Sequence, residues 1–174
     1  MKILRWLLVT LVVAAITHAA LLYLGPSLIM SRAMGRMTAA AGGVNQMAYA
    51  PRANADNNTV VRSSPDLLYN VCVYDLSNGP VRISADVPQG TYWSISFYDM
   101  NTNNFRVIND GQATAGAVLL VLTRAGAQTP PPAGAEIVTS PTDRGIALIR
   151  TLIDDERRYP EIDAARRQAK CASL

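Results

Sequence analysis

The residues able to do chemistry are few, and their placement excludes the commoner mechanisms. The chain holds a single His, and this residue, His18, lies inside an uninterrupted apolar stretch. Ser-His-Asp and Cys-His relays therefore lack a base in the rest of the chain, and no Gly-x-Ser-x-Gly turn is present. One His and two Cys cannot fill a zinc or thiolate site, and no Walker or dinucleotide glycine pattern occurs. Asp99, Asn101, Asn103 and Asp110 stand at positions 1, 3, 5 and 12 of a calcium-type loop, but position 6 is Asn104 rather than Gly and the flanks read as strands. A polar hairpin loop, with Asn and Asp capping turns, is the simpler reading. The expectation is thus no catalytic set, no metal and no cofactor.

Two groups remain. Seven of the 11 aromatic residues fall between Tyr69 and Phe105, enough rings for a ligand pocket. Alternation turns Trp93 and Phe97 inward as core and leaves Tyr74, Tyr92 and Tyr98 on the other face, so these, with Tyr69 and the nearby Asp66, are the candidate ligand-binding residues. Arg82, Arg106 and Arg150 fall within strands, where a structural ion pair or a solvated face is the default. Cys72 and Cys171 could form a disulfide closing a large loop, or Cys72 could be a small buried residue.

Position must come from the elements around them. Trp6 to Leu24 carries no charged side chain, and 19 helical residues span roughly 28 Å, close to the hydrocarbon thickness of a bilayer. Trp6 and Tyr23 mark the ends, and Gly25-Pro26 is expected to stop the helix. A cleaved signal peptide is the competitor, with Lys2 and Arg5 as its positive region, but the apolar run extends past the length of such a segment. Residues 1–30 thus read as a transmembrane anchor and 31–58 as a tether with a short helix. Without Lys2 and Arg5 the remainder has 14 basic and 13 acidic residues, so the pI near 9.1 makes no case for nucleic acid. Arg32 and Arg36 balance Lys2 and Arg5 across the span, so charge does not set topology. A signal-like N-terminal segment leads to the expectation that the domain beyond it is exported.

Residues 59–174 read as a β-rich domain. Leu67 to Asp75, Val81 to Val87 and Thr91 to Asp99 alternate with period two and are separated by Ser77-Asn78-Gly79-Pro80 and Pro88-Gln89-Gly90, suggesting a three-strand meander. Phe105 to Ile108, Ala117 to Thr123, Glu136 to Thr139 and Ile146 to Ile153 are further strands, with Arg150 interrupting the apolar face of the last. Three prolines make Ala125 to Ala135 a loop. From Tyr159-Pro160 through Lys170 the charges run acidic to basic, as a short C-terminal helix does. The fold class expected is mainly β, an antiparallel sandwich or barrel.

Ser64-Pro65-Asp66-Leu67-Leu68-Tyr69, Tyr74-Asp75-Leu76-Ser77-Asn78-Gly79-Pro80, Gly90-Thr91-Tyr92-Trp93-Ser94-Ile95 and Thr102-Asn103-Asn104-Phe105 occur in that order along the chain. In this they resemble the bacterial domain-of-unknown-function 1254 family, and Arg150-Thr151-Leu152-Ile153 is similar to a later strand of that family. The resemblance covers roughly residues 60–155 and carries no agreed activity. Longer members add a domain-of-unknown-function 1214 unit, for which this chain leaves no room. That implies a partner: the expectation is an interaction module on the bacterial inner membrane, single-pass and periplasmic, docking on another envelope protein that supplies a companion β-domain. The alternative is an envelope small-molecule binder or enzyme with a tyrosine-lined site.

Overall fold

The computed structural model describes residues 2–54, 63–113, 116–127 and 132–174. The expected domain start at residue 59 and part of the proline loop lie outside the described residues. The first element, α1 (Lys2–Ala41), is a helix of 40 residues with Pro26 inside it, about 60 Å long at 1.5 Å per residue. It is long and apolar enough to cross a membrane, with a mean hydropathy of 2.3 over its most apolar window.

The expected stop at Gly25-Pro26 does not occur. Proline in an apolar spanning helix is tolerated, because helix remains the best way to satisfy the backbone. The part beyond it gains tertiary packing: Met30 and Met34 are buried against Val71, Val73 and Ile146. Residues 31–41 are therefore docked helix and not tether. Gly42, at φ +83°, ends the helix, and the Gly43 N–H donates to the Thr38 carbonyl at 3.1 Å, closing a Schellman turn. The next residues are also held. Asn45 Nδ2 donates to the Asp75 carbonyl, and Asn45 Oδ1 accepts from the Asp75 N–H.

Among the described residues, nine strands form two sheets. The first contains β1 (Met47–Tyr49), β2 (Leu67–Asp75), β4 (Trp93–Asp99), β5 (Asn104–Asn109) and β8 (Arg144–Leu152) in the order β1-β2-β8-β4-β5, all antiparallel. The second contains β3 (Val81–Asp86), β6 (Ala117–Arg124), β7 (Glu136–Ser140) and β9 (Lys170–Ser173) in the order β7-β6-β3-β9. There β6 and β7 run parallel. The fold is thus a mainly β sandwich, as expected, with one mixed sheet.

The meander is not formed. The turns at 77–80 and 88–90 carry the chain from one sheet to the other and back, so β3 lies across the core from β2 and β4. Alternation reveals which face of a strand is apolar but not which strand it pairs with. The helix α2 (Tyr159–Arg166) carries Pro160 in its first turn as expected but is shorter than expected. Lys170 to Ser173 instead pair with the edge of β3, where four more backbone partners are available.

The inner faces meet in one core. Trp93, Ile95 and Phe97 from β4 and Cys72 and Tyr74 from β2 pack against Val81, Ile83 and Ala85 from β3 and Leu120 and Leu122 from β6. The outer face of the first sheet is apolar where α1 lies on it, which is why Val71 and Val73 are buried although they point away from the core. Cys72 and Cys171 are disulfide-bonded, with Cα atoms 6.3 Å apart across 99 residues of sequence. The bond joins β2 to β9, and so one sheet to the other.

Candidate functional site

The outer face of the first sheet splits into two halves. One half is roofed by α1, whose Met30, Met34 and Met37 lie with Val71, Val73, Ile146, Leu148 and Tyr98. In the other half the register puts Tyr69 opposite Arg150 and Arg150 opposite Ser94, in one row across β2, β8 and β4. Alternation places Tyr92 and Ser96, two residues before and after Ser94, on this same face.

Hydrogen bonds knit this half together. The Tyr92 hydroxyl donates to Ser94 Oγ at 2.8 Å, and Arg150 Nη2 donates to Ser96 Oγ at 3.1 Å. Tyr69 Oη accepts from the Ser64 N–H at 3.0 Å. Ser94 and Ser96 are fully buried. Arg150 Nε is also buried and has no acceptor. Tyr92, by contrast, is 42% exposed and forms the lip of an open cleft of about 440 Å³ lined by Val87, Pro88, Ala113, Leu152, Asp110 and Asp154.

The five candidate ligand residues are not gathered in one place. Tyr69 and Tyr92 lie on the hydroxyl-bearing half, and Tyr98 sits under the helix. Tyr74 points the opposite way, into the core, where its hydroxyl meets the Tyr98 carbonyl at 3.1 Å and Ser140 Oγ at 3.0 Å. Burial pushes this phenol up to about 12. Grouping Tyr74 with Tyr92 and Tyr98 is therefore corrected: its strand shows its other face to the core. Asp66 is exposed at the start of β2, in the field of Arg52, which donates to Glu156 and stacks 5.5 Å over the Tyr159 ring.

The oxygen-rich loop after β4 behaves as a turn. Asp99 Oδ1 accepts from the Asn101 and Asn103 N–H groups and Oδ2 from the Asn103 amide. Asp110 Oδ1 accepts from the Trp93 N–H at 3.4 Å, at the far end of β5. Among the described residues no three His, Cys, Asp or Glu side chains converge as metal ligands.

Arg150, Ser94 and Ser96 were not singled out as site residues by sequence reasoning. The usable signal was the cation that breaks the apolar face of β8. Arg106 does form an ion pair, with Glu136, whereas Arg150 has none among the described residues. The arrangement holds a cation, hydroxyls and an adjoining cleft, which together suit binding.

No curated protein matches the chain. A Vibrio parahaemolyticus protein, VPA0106, has a crystal structure similar to it with a TM-score of 0.68 at 18% identity, over 89% of this chain and 37% of that one. An uncharacterised protein from Burkholderia cenocepacia is similar with a TM-score of 0.51 at 14% identity, over 78% of this chain and 36% of that one. The fold is shared, and the chain spans little more than a third of the length of either solved relative. The family model described as protein of unknown function (DUF1254) matches residues 44–173, from the end of α1 through β9, and the chain belongs to that family.

Proposed function

We propose that the protein is a membrane-anchored, exported β-domain that works as an interaction module for a second envelope protein. The observation that carries this reading is the continuity of α1. A single helix runs from the apolar segment to Met30 and Met34, which are buried on the sheet, so the domain is held close to the bilayer rather than on a loose leash. The Cys72–Cys171 bond suits an oxidising compartment and hence the periplasmic side of a bacterial inner membrane. Support for a partner comes from the solved relatives, in which this fold is about a third of a longer chain. The strand β5 offers Val107 and β7 offers Ile137 as exposed apolar side chains at sheet edges.

The experiment is affinity purification of the tagged protein at native level in mild detergent, with mass spectrometry and sizing of the intact complex. A stoichiometric envelope protein carrying a β-rich domain, crosslinked through β5 or β7, is the expected result. A chain that emerges alone and monomeric overturns the reading.

A second reading, a small-molecule binder, is favoured by the cleft beside Tyr92. It would use the hydroxyl-bearing half of the sheet and not the edges.

A further inference from the structure

Arg150 presents an unanswered charge. It lies on β8, whose neighbours are β2 and β4, in the interior of a five-stranded sheet. Eight other arginines, Arg52, Arg106, Arg124, Arg144, Arg157, Arg158, Arg166 and Arg167, each hold a carboxylate. Arg150 holds only Ser96 Oγ among the described residues, and its Nε is buried with no acceptor. A buried donor without an acceptor costs about 1–3 kcal/mol, more for a charged group. Folding accepts that cost only if something else is gained, such as a ligand.

The geometry points to an anion subsite at Arg150 that takes the carboxylate of a small organic acid whose apolar body lies in the adjoining cleft. A planar guanidinium whose Nε–H is left without an acceptor suits a carboxylate, which accepts two parallel N–H bonds. Ser94, opposite Arg150 in the register, accepts from the Tyr92 hydroxyl and keeps its own hydroxyl proton to donate to such a head. Leu152, two residues along β8 from Arg150, lines the cleft with Val87, Pro88 and Ala113. Tyr92 links the two places, since it lines the cleft and its hydroxyl reaches Ser94.

Charge selects between acids. Asp110 and Asp154 also line the cleft. Asp154 is compensated by Arg158 at 2.6 Å, but among the described residues Asp110 has only the Trp93 N–H. A singly charged carboxylate tolerates that neighbour better than a phosphate of nearly two charges. The inference deepens the small-molecule reading and is independent of any protein partner, so a failed copurification leaves it standing.

The test uses the full chain in lipid nanodiscs, titrated with 3-phenylpropionate, with the neutral 3-phenylpropionamide and with inorganic phosphate, read by calorimetry and by arginine Nε–H NMR signals. The acid is expected to bind saturably, the amide at least about tenfold more weakly, and one arginine Nε–H signal to shift with the acid alone. Arg150→Gln should weaken the acid by about tenfold or more, a loss of about 1.4 kcal/mol, while amide binding stays as in the parent protein. The signal in the parent protein keeps the test valid even where the variant does not fold. Absence of saturable acid binding, equal binding of acid and amide, or an acid affinity unchanged in a folded Arg150→Gln protein overturns the proposal. Tighter, Arg150-dependent binding of phosphate overturns the choice of carboxylate.

Discussion

Asn70 and Arg166 hold each other by reciprocal bonds: Asn70 Nδ2 donates to the Arg166 carbonyl at 2.8 Å, and Arg166 Nη1 donates to Asn70 Oδ1 at 3.0 Å. Both are buried, and Arg166 also donates to Asp163 at 2.5 Å and to the Tyr69 carbonyl. The short helix α2 is thereby fastened to β2, the strand that carries Tyr69. Removing one member leaves buried polar groups unpaired, so Arg166→Met should cost ~3–5 kcal/mol. Asn70→Ala should cost less, ~1–3 kcal/mol. The double variant should fall short of the sum in chemical denaturation; strict additivity would show that the two do not act as a unit.

The Asp163 carboxylate in this cluster gives an acid limb. Burial pushes the group up, but hydrogen bonds from Arg167 and Arg166 outweigh that and hold it below the usual carboxylate range. A depressed folded pKa means stability that is intact above the unfolded value of about 3.9 and lost as pH falls through the folded one. Below about pH 4 the parent protein should lose stability more steeply than Asp163→Asn, measured by denaturant midpoints across pH. Parallel slopes would rule the pair out as a source of acid sensitivity.

Tyr74 gives the alkaline counterpart. Its phenol is pushed up to about 12 by burial, so the native state keeps a proton that the unfolded chain gives up near pH 10. Stability is unaffected below about pH 10 and falls by about 1.4 kcal/mol per pH unit as pH climbs toward 12. An ultraviolet absorbance titration should show one late phenol, absent in Tyr74→Phe. If the variant loses stability over that window as steeply as the parent, the buried phenol is not the cause.

A close backbone approach supports the same tyrosine. A Cβ at Gly145 would overlap the Tyr98 carbonyl oxygen and the Tyr74 hydroxyl. Backbone and a packed ring cannot yield as a surface side chain can, so Gly145→Ala is expected to cost ~3 kcal/mol, the upper end for overpacking. Thermal unfolding of the variant checks this, and a melting temperature equal to the parent's would contradict the packing.

How much of this could be read in the sequence depended on what each residue had to agree with. Trp93, Ile95 and Phe97 alternate over a full strand, so their inward face followed from period two alone, and the membrane-length helix followed from a run with no charge. Tyr74 was misgrouped because its strand is covered on both sides: α1 lies over Val71 and Val73 while the core takes Cys72 and Tyr74, and such a strand has no polar face to betray its direction. The end of α1 was misplaced because Pro26 is a local signal, whereas the packing of Met30 and Met34 joins residues some 40 positions apart in the chain. Lys170 to Ser173 look helical by charge order and are strand because β3 had an unpaired edge. Arg150 was visible as an anomaly, but its lack of a carboxylate depends on three strands at once.

The disulfide makes a prediction about the sandwich as a whole. Closing a loop of about 100 residues stabilises by about 4–5 kcal/mol in the chain-entropy model, and measured losses run ~2–5 kcal/mol. Reduction, or Cys171→Ser, should lower the unfolding free energy by that amount. Thiol titres of the denatured protein should rise by two on reduction; equal titres with and without reductant would show that the bond is absent.

The contact between α1 and the sheet decides whether the anchor is rigid. Met34 is 2% exposed and sits with Val71, Val73 and Ile146, so a charge there must either be buried or force the helix off. Met34→Lys should remove at least ~2 kcal/mol of packing, about thirtyfold more opening. Trypsin should then reach Arg36, two residues further along the same helix, about thirtyfold faster than in the parent protein in nanodiscs. Met34→Leu, which keeps the apolar volume, should stay protected. The opposite core face of the sheet is unaffected, so the near-ultraviolet signal of Trp93 should persist in the lysine variant. If cleavage at Arg36 is equally fast in parent and variant, the helix is not docked, and the domain moves on a tether after all.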